Sequence, residues 1–295
     1  MGRIVGQMKG CARAPGAGTI LNALANGYGS AFAIDIYTTA EVVLQDTEEV
    51  VGKIEGAPNA DTALIEKCVE IVVDRFGDGE GGKVLTKSEI PIASGLKSSS
   101  AAANATVLAS LSALSVGVGK NEEITRLDAA LIGVQAAREV GVTITGAFDD
   151  SSASMIGGLT LTNNNEDELL KHEKSIDWNV LIWTPEEKSY SAEADVDRCS
   201  FVSGVADIIV EMVKDGRYLE AMTVNGLAFC AALEYSVDPI LEALPIVNGV
   251  SLSGTGPSMT AVGSEEVLKE LENIWEIRKG KIILTKTQTG GASII

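Results

Sequence analysis

The stretch Pro91-Ile92-Ala93-Ser94-Gly95-Leu96-Lys97-Ser98-Ser99-Ser100-Ala101 places a glycine, a lysine and a cluster of serines ahead of an alanine-rich segment. These residue types suit an anion, because glycine admits close backbone approach and serines supply hydroxyls. From Ala101 to Leu114 the apolar residues keep helical spacing, so the loop opens a helix whose first N–H groups have no internal partner. Free donors at the positive end of a helix dipole favour a nucleotide phosphate. The same serines also read as an ordinary N-cap, and Gly-Leu-Lys-Ser as a turn. A Walker loop is excluded, because Gly52-Lys53, Gly82-Lys83, Gly119-Lys120 and Gly280-Lys281 all lack the Ser or Thr that must follow.

Three other segments carry chemical side chains or close-approach glycines. Gly10 to Asn22 contains Ala14-Pro15-Gly16, and Val250 to Val262 contains Gly254-Thr255-Gly256-Pro257. Between them, Asp149-Asp150 precedes Ser151-Ser152 and Gly157-Gly158. Either aspartate reads as the cap of a helix starting at Ser151, or as a carboxylate available for proton transfer.

Taken in order, these segments resemble the three motifs of the GHMP kinases. The second motif, Pro-x-x-x-Gly-Leu-x-Ser-Ser-Ala, is matched by Pro91, Gly95, Leu96, Ser98 and Ser99, with Ser100 in place of the alanine and Ala101 after it. The segment from Gly16 to Asp35 is similar to the archaeal, shikimate-phosphorylating branch of that family. The resemblance covers most of the chain and implies an α+β, two-domain fold. An N-terminal ribosomal-protein-like α/β domain over 1–162 would be followed by a C-terminal ferredoxin-like α/β domain over 163–295.

The implied activity is transfer of a phosphoryl group from ATP, with Mg2+, to a hydroxyl of a small carboxylated metabolite. Shikimate is the implied acceptor, giving shikimate 3-phosphate for aromatic amino acid biosynthesis. Homoserine, mevalonate or a non-catalytic sensor role are the alternatives. By motif position, Pro91, Ile92, Ala93, Ser94, Gly95, Leu96, Lys97, Ser98, Ser99, Ser100, Ala101, Gly254 and Gly256 would hold the nucleotide. Relatives place the catalytic aspartate seven residues before a glycine and a magnesium-binding glutamate eleven residues upstream of it, which selects Asp150 and Glu139. Ser99 would be the second metal ligand, and Asp149 the substitute base. One departure is informative: relatives carry Arg or Lys directly after Pro-Gly, where this chain has Ala17. Catalysis must do without a cation at that place or recruit another. Arg13 or Lys9 is the expected grip on the acceptor carboxylate.

That chemistry asks for these residue types. Phosphoryl transfer is mostly positioning and charge neutralisation, with a carboxylate taking the proton of the attacking hydroxyl. Magnesium accepts one or two protein oxygens and keeps water for the rest.

The elements that must position these groups are legible from periodicity. Helices are expected over Asp61 to Phe76, Glu122 to Glu139, Phe201 to Val213, Tyr218 to Tyr235 and Ser264 to Arg278. Strands are expected over Val84 to Ile90, Trp178 to Trp183 and Lys281 to Thr285, with a strand and its hairpin partner within 38–55. Composition agrees with an enzyme: 295 residues, 45% hydrophobic, 22% charged and a net charge of −18. Such an acidic surface repels nucleic acid and anionic membrane. Cys11, Cys68, Cys199 and Cys230 lack metal or redox spacing and read as reduced thiols, and the single His172 as a surface residue. No signal pattern or transmembrane-length apolar run is present, so a cytoplasmic address is expected.

Overall fold

Two long antiparallel strands, β1 (Met8–Leu21) and β2 (Tyr28–Gln45), form the spine of the larger sheet in the computed structural model, which describes residues 7–91, 94–186 and 195–295. Along β1 the small residues Gly10, Ala12 and Ala14 are buried while Lys9 and Arg13 are exposed, the two-residue alternation of a strand with one covered face. The covering element is α2 (Ser98–Ala113), which begins directly after the serine-rich loop. It is buried around most of its circumference, small polar residues such as Asn104, Thr106 and Ser110 included, and packs against the two spine strands and against α1 (Ala63–Phe76), α3 (Arg126–Glu139) and α4 (Phe148–Ile156).

The sheet runs β11 (Ser293–Ile294), β1, β2, β4 (Gly81–Ser88), β3 (Val50–Ile54), with β5 (Leu159–Asn163) pairing the first half of β2 and β6 (Glu168–Glu173) pairing β5. The hairpin expected within 38–55 does not form. Instead β3 lies parallel to β4, which inserts between it and β2, because α1 carries the chain over the sheet before it returns as β4. The second sheet is antiparallel, in the order β10 (Lys281–Lys286), β7 (Asn179–Thr184), β9 (Met259–Gly263), β8 (Gly249–Leu252). It is covered by α7 (Tyr218–Ala232), α8 (Asp238–Ala243) and α9 (Glu265–Trp275). Helix α9 buries Leu268, Leu271 and Trp275 along one stripe, and Ser264 caps its start by accepting from Val267 N. Two short pieces complete the set: α5 (Val196–Ser200) beside α7, and α6 (Ser203–Lys214), whose Ala206, Ile209, Val210 and Val213 join the core of the larger sheet.

The expected boundary after residue 162 falls inside β5. Sheet membership changes only between β6 and β7, because the polar 163–168 stretch is a hairpin turn and not a linker. The C-terminal residues then return to the larger sheet, where β11 pairs with β1 and Ala292 N donates to Met155 O at the end of α4 (3.1 Å). Among the described residues no helix is long and apolar enough to cross a membrane.

Contact between α2 and β1 is at backbone distance. A Cβ on Gly10 would collide with the Ala109 carbonyl oxygen and stand 2.6 Å from Ala113 N. Gly10→Ala is expected to lower stability by about 1–3 kcal/mol, the usual range for overpacking. Urea unfolding should show an earlier midpoint with an unchanged slope.

Candidate active site

The serine-rich loop is shaped by the segment that follows β8. Ser258 N donates to Ser94 O (3.2 Å), and the Ser253 hydroxyl donates to Gly95 O (3.0 Å). Gly95 has φ +79°, and a Cβ there would strike the Ser253 carbonyl and lie 2.9 Å from that of Gly256, so the two loops meet backbone to backbone. Within the first loop, Ser94 Oγ donates to Pro91 O (2.7 Å) and Leu96 is buried; Ile92 and Ala93 lie outside the described residues.

A hydrogen-bonded hub holds the other side of the 253–256 turn. Gly254 N donates to Thr19 Oγ1 (2.8 Å), and Asn22 Nδ2 donates to Gly254 O (2.8 Å). Asn22 N in turn donates to Oδ1 of Asn225, a fully buried residue of α7 (2.9 Å). Tyr235 passes beside Gly256 and donates its hydroxyl to Thr255 O (3.0 Å). The sequence motifs thus meet in space, and Asn225 braces the first of them.

Helix α2 starts at Ser98, and the residue at its N-cap is Lys97, in the left-handed region (φ 65°, ψ 33°) with no side-chain cap. The capping role expected of the serines is therefore absent. Ser98, Ser99 and Ser100 form the first turn, Ser99 is exposed, and Ala101 N closes the turn onto Lys97 O (3.0 Å). First-turn N–H groups and these hydroxyls are what an anion would meet.

Asp149 and Asp150 are likewise inside a helix and not at its cap, since α4 begins at Phe148 after Ala147 (φ 52°). The two carboxylates have different surroundings. Asp149 is buried, accepts from Asn164 Nδ2 (2.7 Å), donates its N–H to Asn164 Oδ1 (3.1 Å), and lies where any side chain on Gly29 would strike it. Asp150 faces the loop. Its Oδ1 is 2.8 Å from Lys97 Nζ, in an ion pair whose side chains are only 11% and 10% exposed. Burial pushes the Asp150 carboxyl up and Asp149's charge adds to this, against the pull of Lys97, leaving it at about 7. Burial pulls the Lys97 ammonium down, but Asp150 and then Asp149 outweigh it and hold the group above its ordinary value.

Glu139 stands apart from this group. At the end of α3 its carboxylate accepts from Gln135 Nε2 (2.7 Å) and lies 4.0 Å from Lys67 on α1; no hydrogen bond or ion pair joins it to Ser99 or Asp150. Arg13 and Lys9 do not reach the site either. Both side chains leave β1 on the face away from α2, where Arg13 lies 4.5 Å from the centre of the Tyr37 ring and Lys9 pairs with Glu41 (2.9 Å). The alternation of small residues at 10, 12 and 14 already contained that parity.

Residues 63–158 match the family model described as GHMP kinases N terminal domain. The shikimate kinase of Halobacterium salinarum is 56% identical over 286 residues, covering 97% of this chain and 99% of that protein. The chain belongs to the GHMP kinase family. The shikimate kinase of Methanothrix thermoacetophila is 48% identical, with 97% of this chain and 96% of the relative covered. Among solved GHMP kinase folds, homoserine kinase from Cytophaga hutchinsonii superposes with a TM-score of 0.76 at 16% identity over all of both chains. Mevalonate kinase of Methanococcus jannaschii gives 0.76 at 16% over 97% and 100%. The four-stranded sheet and its helices belong to that fold as much as the matched N-terminal part does.

For this GHMP kinase, the carboxyl carbon of Asp150, followed by NMR across pH, should titrate near pH 7 and not in the ordinary range of about 4. An unshifted midpoint would mean that the pair with Lys97 dominates burial.

Proposed function

We propose that this chain transfers the terminal phosphoryl group of ATP to a hydroxyl of shikimate. Near-full-length identity to proteins named shikimate kinase carries the choice of acceptor. The site supports the reaction type, because a buried carboxylate and an unfilled helix N-terminus are brought together by an ion pair between their elements. A cytoplasmic address fits the same reading.

Backbone N–H groups in the first turn of α2, with Ser98, Ser99 and Ser100, bind the phosphates, and the backbone junction of Gly95 with Ser253 to Gly256 fixes the cradle's shape. Asp150 takes the proton of the acceptor hydroxyl as its oxygen bonds to the terminal phosphorus and the bridging bond to ADP breaks. The products are a phosphate monoester, ADP and a protonated Asp150 that returns its proton to water. A carboxylate with a pKa of about 7 suits this task near neutral pH, where the ionised form is well populated and basic enough to accept.

Magnesium fits the donor set as an ion that asks little of the protein. Among the described residues there is no cluster of three acidic, His or Cys side chains, but Ser99 offers an exposed hydroxyl beside the cradle. Ser99 would hold it, joined by Glu139 once that carboxylate leaves Gln135 and Lys67. When bound, the ion neutralises charge on the transferring phosphate.

A coupled ADP assay with shikimate, homoserine and mevalonate separates the readings: shikimate should be the preferred acceptor. Nucleotide binding without ADP release would instead favour a sensor. With shikimate, kcat/KM should fall as pH drops through about 7, because the base must be ionised. Asp150→Asn should lower kcat by about 10²–10⁴. Ser99→Ala should raise the magnesium concentration needed for half-maximal turnover; unaltered metal dependence would exclude Ser99 as a ligand.

A further inference from the structure

Lys97 lies in the loop that meets the nucleotide, yet its side chain is aimed elsewhere. We infer that Lys97 positions the catalytic carboxylate and is not a phosphate ligand, so that the nucleotide loop itself supplies the counter-ion of the base. This rests on the phosphotransfer reading above and assigns within it a role that motif position alone gives to the nucleotide.

Four observations carry the assignment. The ammonium is 2.8 Å from Asp150 Oδ1, with both side chains about nine-tenths buried. The end of the lysine runs close past the 253–256 turn, where a Cβ on Gly254 would be 2.9 Å from Nζ and 3.3 Å from Cε. The backbone at Lys97 is left-handed at φ 65°, a conformation that glycine adopts freely and lysine does not, so the strain is held in place by what the side chain contacts. Finally, Ala17 has no room for a cation. It is fully buried against Ala31 and Ala153, and its N–H donates to Leu96 O (3.4 Å), so it abuts the same loop from the other side.

Among the described residues no other positive group pairs with Asp150. Around α4, β1 presents Ala17, β2 presents Ala31, β5 presents Thr160 to Ser152, and α2 presents Asn104 to Ser151. From α3, Arg126 is taken up by Met155 O at the far end of α4, and Arg138 by Asp167. Among the described residues the charged groups acting on Asp150 are Lys97 and its own neighbour Asp149. A carboxylate buried beside another carboxylate needs that ammonium to stay ionised and in place.

The test compares the unaltered chain with Lys97→Met, which keeps side-chain bulk, and Lys97→Gly, which suits the left-handed backbone and so guards against misfolding. With shikimate as acceptor, kcat should fall by about 10²–10³ in both variants, within the usual span for groups that serve proton transfer. The KM for ATP, and the Kd of a non-hydrolysable ATP analogue measured without acceptor, should stay within about threefold. Ethylammonium added to Lys97→Gly should restore turnover saturably by filling the vacated space beside Asp150. Loss of analogue affinity by about tenfold or more with kcat retained would make Lys97 a nucleotide ligand and overturn the inference alone. An unaltered chain with no turnover on any acceptor would sink the phosphotransfer reading and this inference with it.

Discussion

An ammonium and a carboxylate buried together depend on each other more than on anything around them. Neither Lys97 nor Asp150 is tolerable alone at about one-tenth exposure, since the desolvation of an unpaired ion exceeds any local packing gain. Their contact therefore constrains the elements that carry them: the start of α2 and the start of α4 must lie at a fixed separation. The rest of the larger lobe serves that separation. Gly10 lets α2 sit directly on β1, Asn164 pins the neighbouring Asp149, and the 253–256 turn presses on the lysine from the second sheet.

Such a pair adds little net stability compared with an apolar replacement, yet losing one partner is costly. Cradle and base therefore belong to one arrangement. Lys97 and Ala147, each immediately ahead of its helix, are among the non-glycine residues with left-handed backbone. Strain of this kind persists only when the surrounding contacts over-determine it. Here the surrounding contacts are the backbone junction at Gly95 and the ion pair itself.

Much of this was legible beforehand. The alanine-rich helix after the loop, α1, β4, β7 and α9 follow from apolar period and turn residues, and the three glycine-bearing segments read correctly as a set. What periodicity does not encode is partner choice. The strand at Val50–Ile54 looked like half of a hairpin because it follows β2 closely, but a helical crossover determines its neighbour. The ion pair of Lys97 with Asp150 was not legible, because it depends on the packing of α2 against α4, far apart in sequence. By contrast, the outward direction of Arg13 was present in the pattern of small residues around it, and motif proximity obscured it.

The return of β11 to β1 gives the fold an unequal genealogy of parts. The smaller lobe is an insertion between β6 and the closing segment of the larger one, and Arg126 ties both margins by donating to Met155, Gly290 and Ala292 carbonyls. A fragment cut after β6 would leave the β1 edge unpaired and strip that guanidinium of two acceptors at the foot of the helix bearing Asp150. The larger lobe is thus a discontinuous module, and grafting or swapping between relatives must carry its closing segment with it.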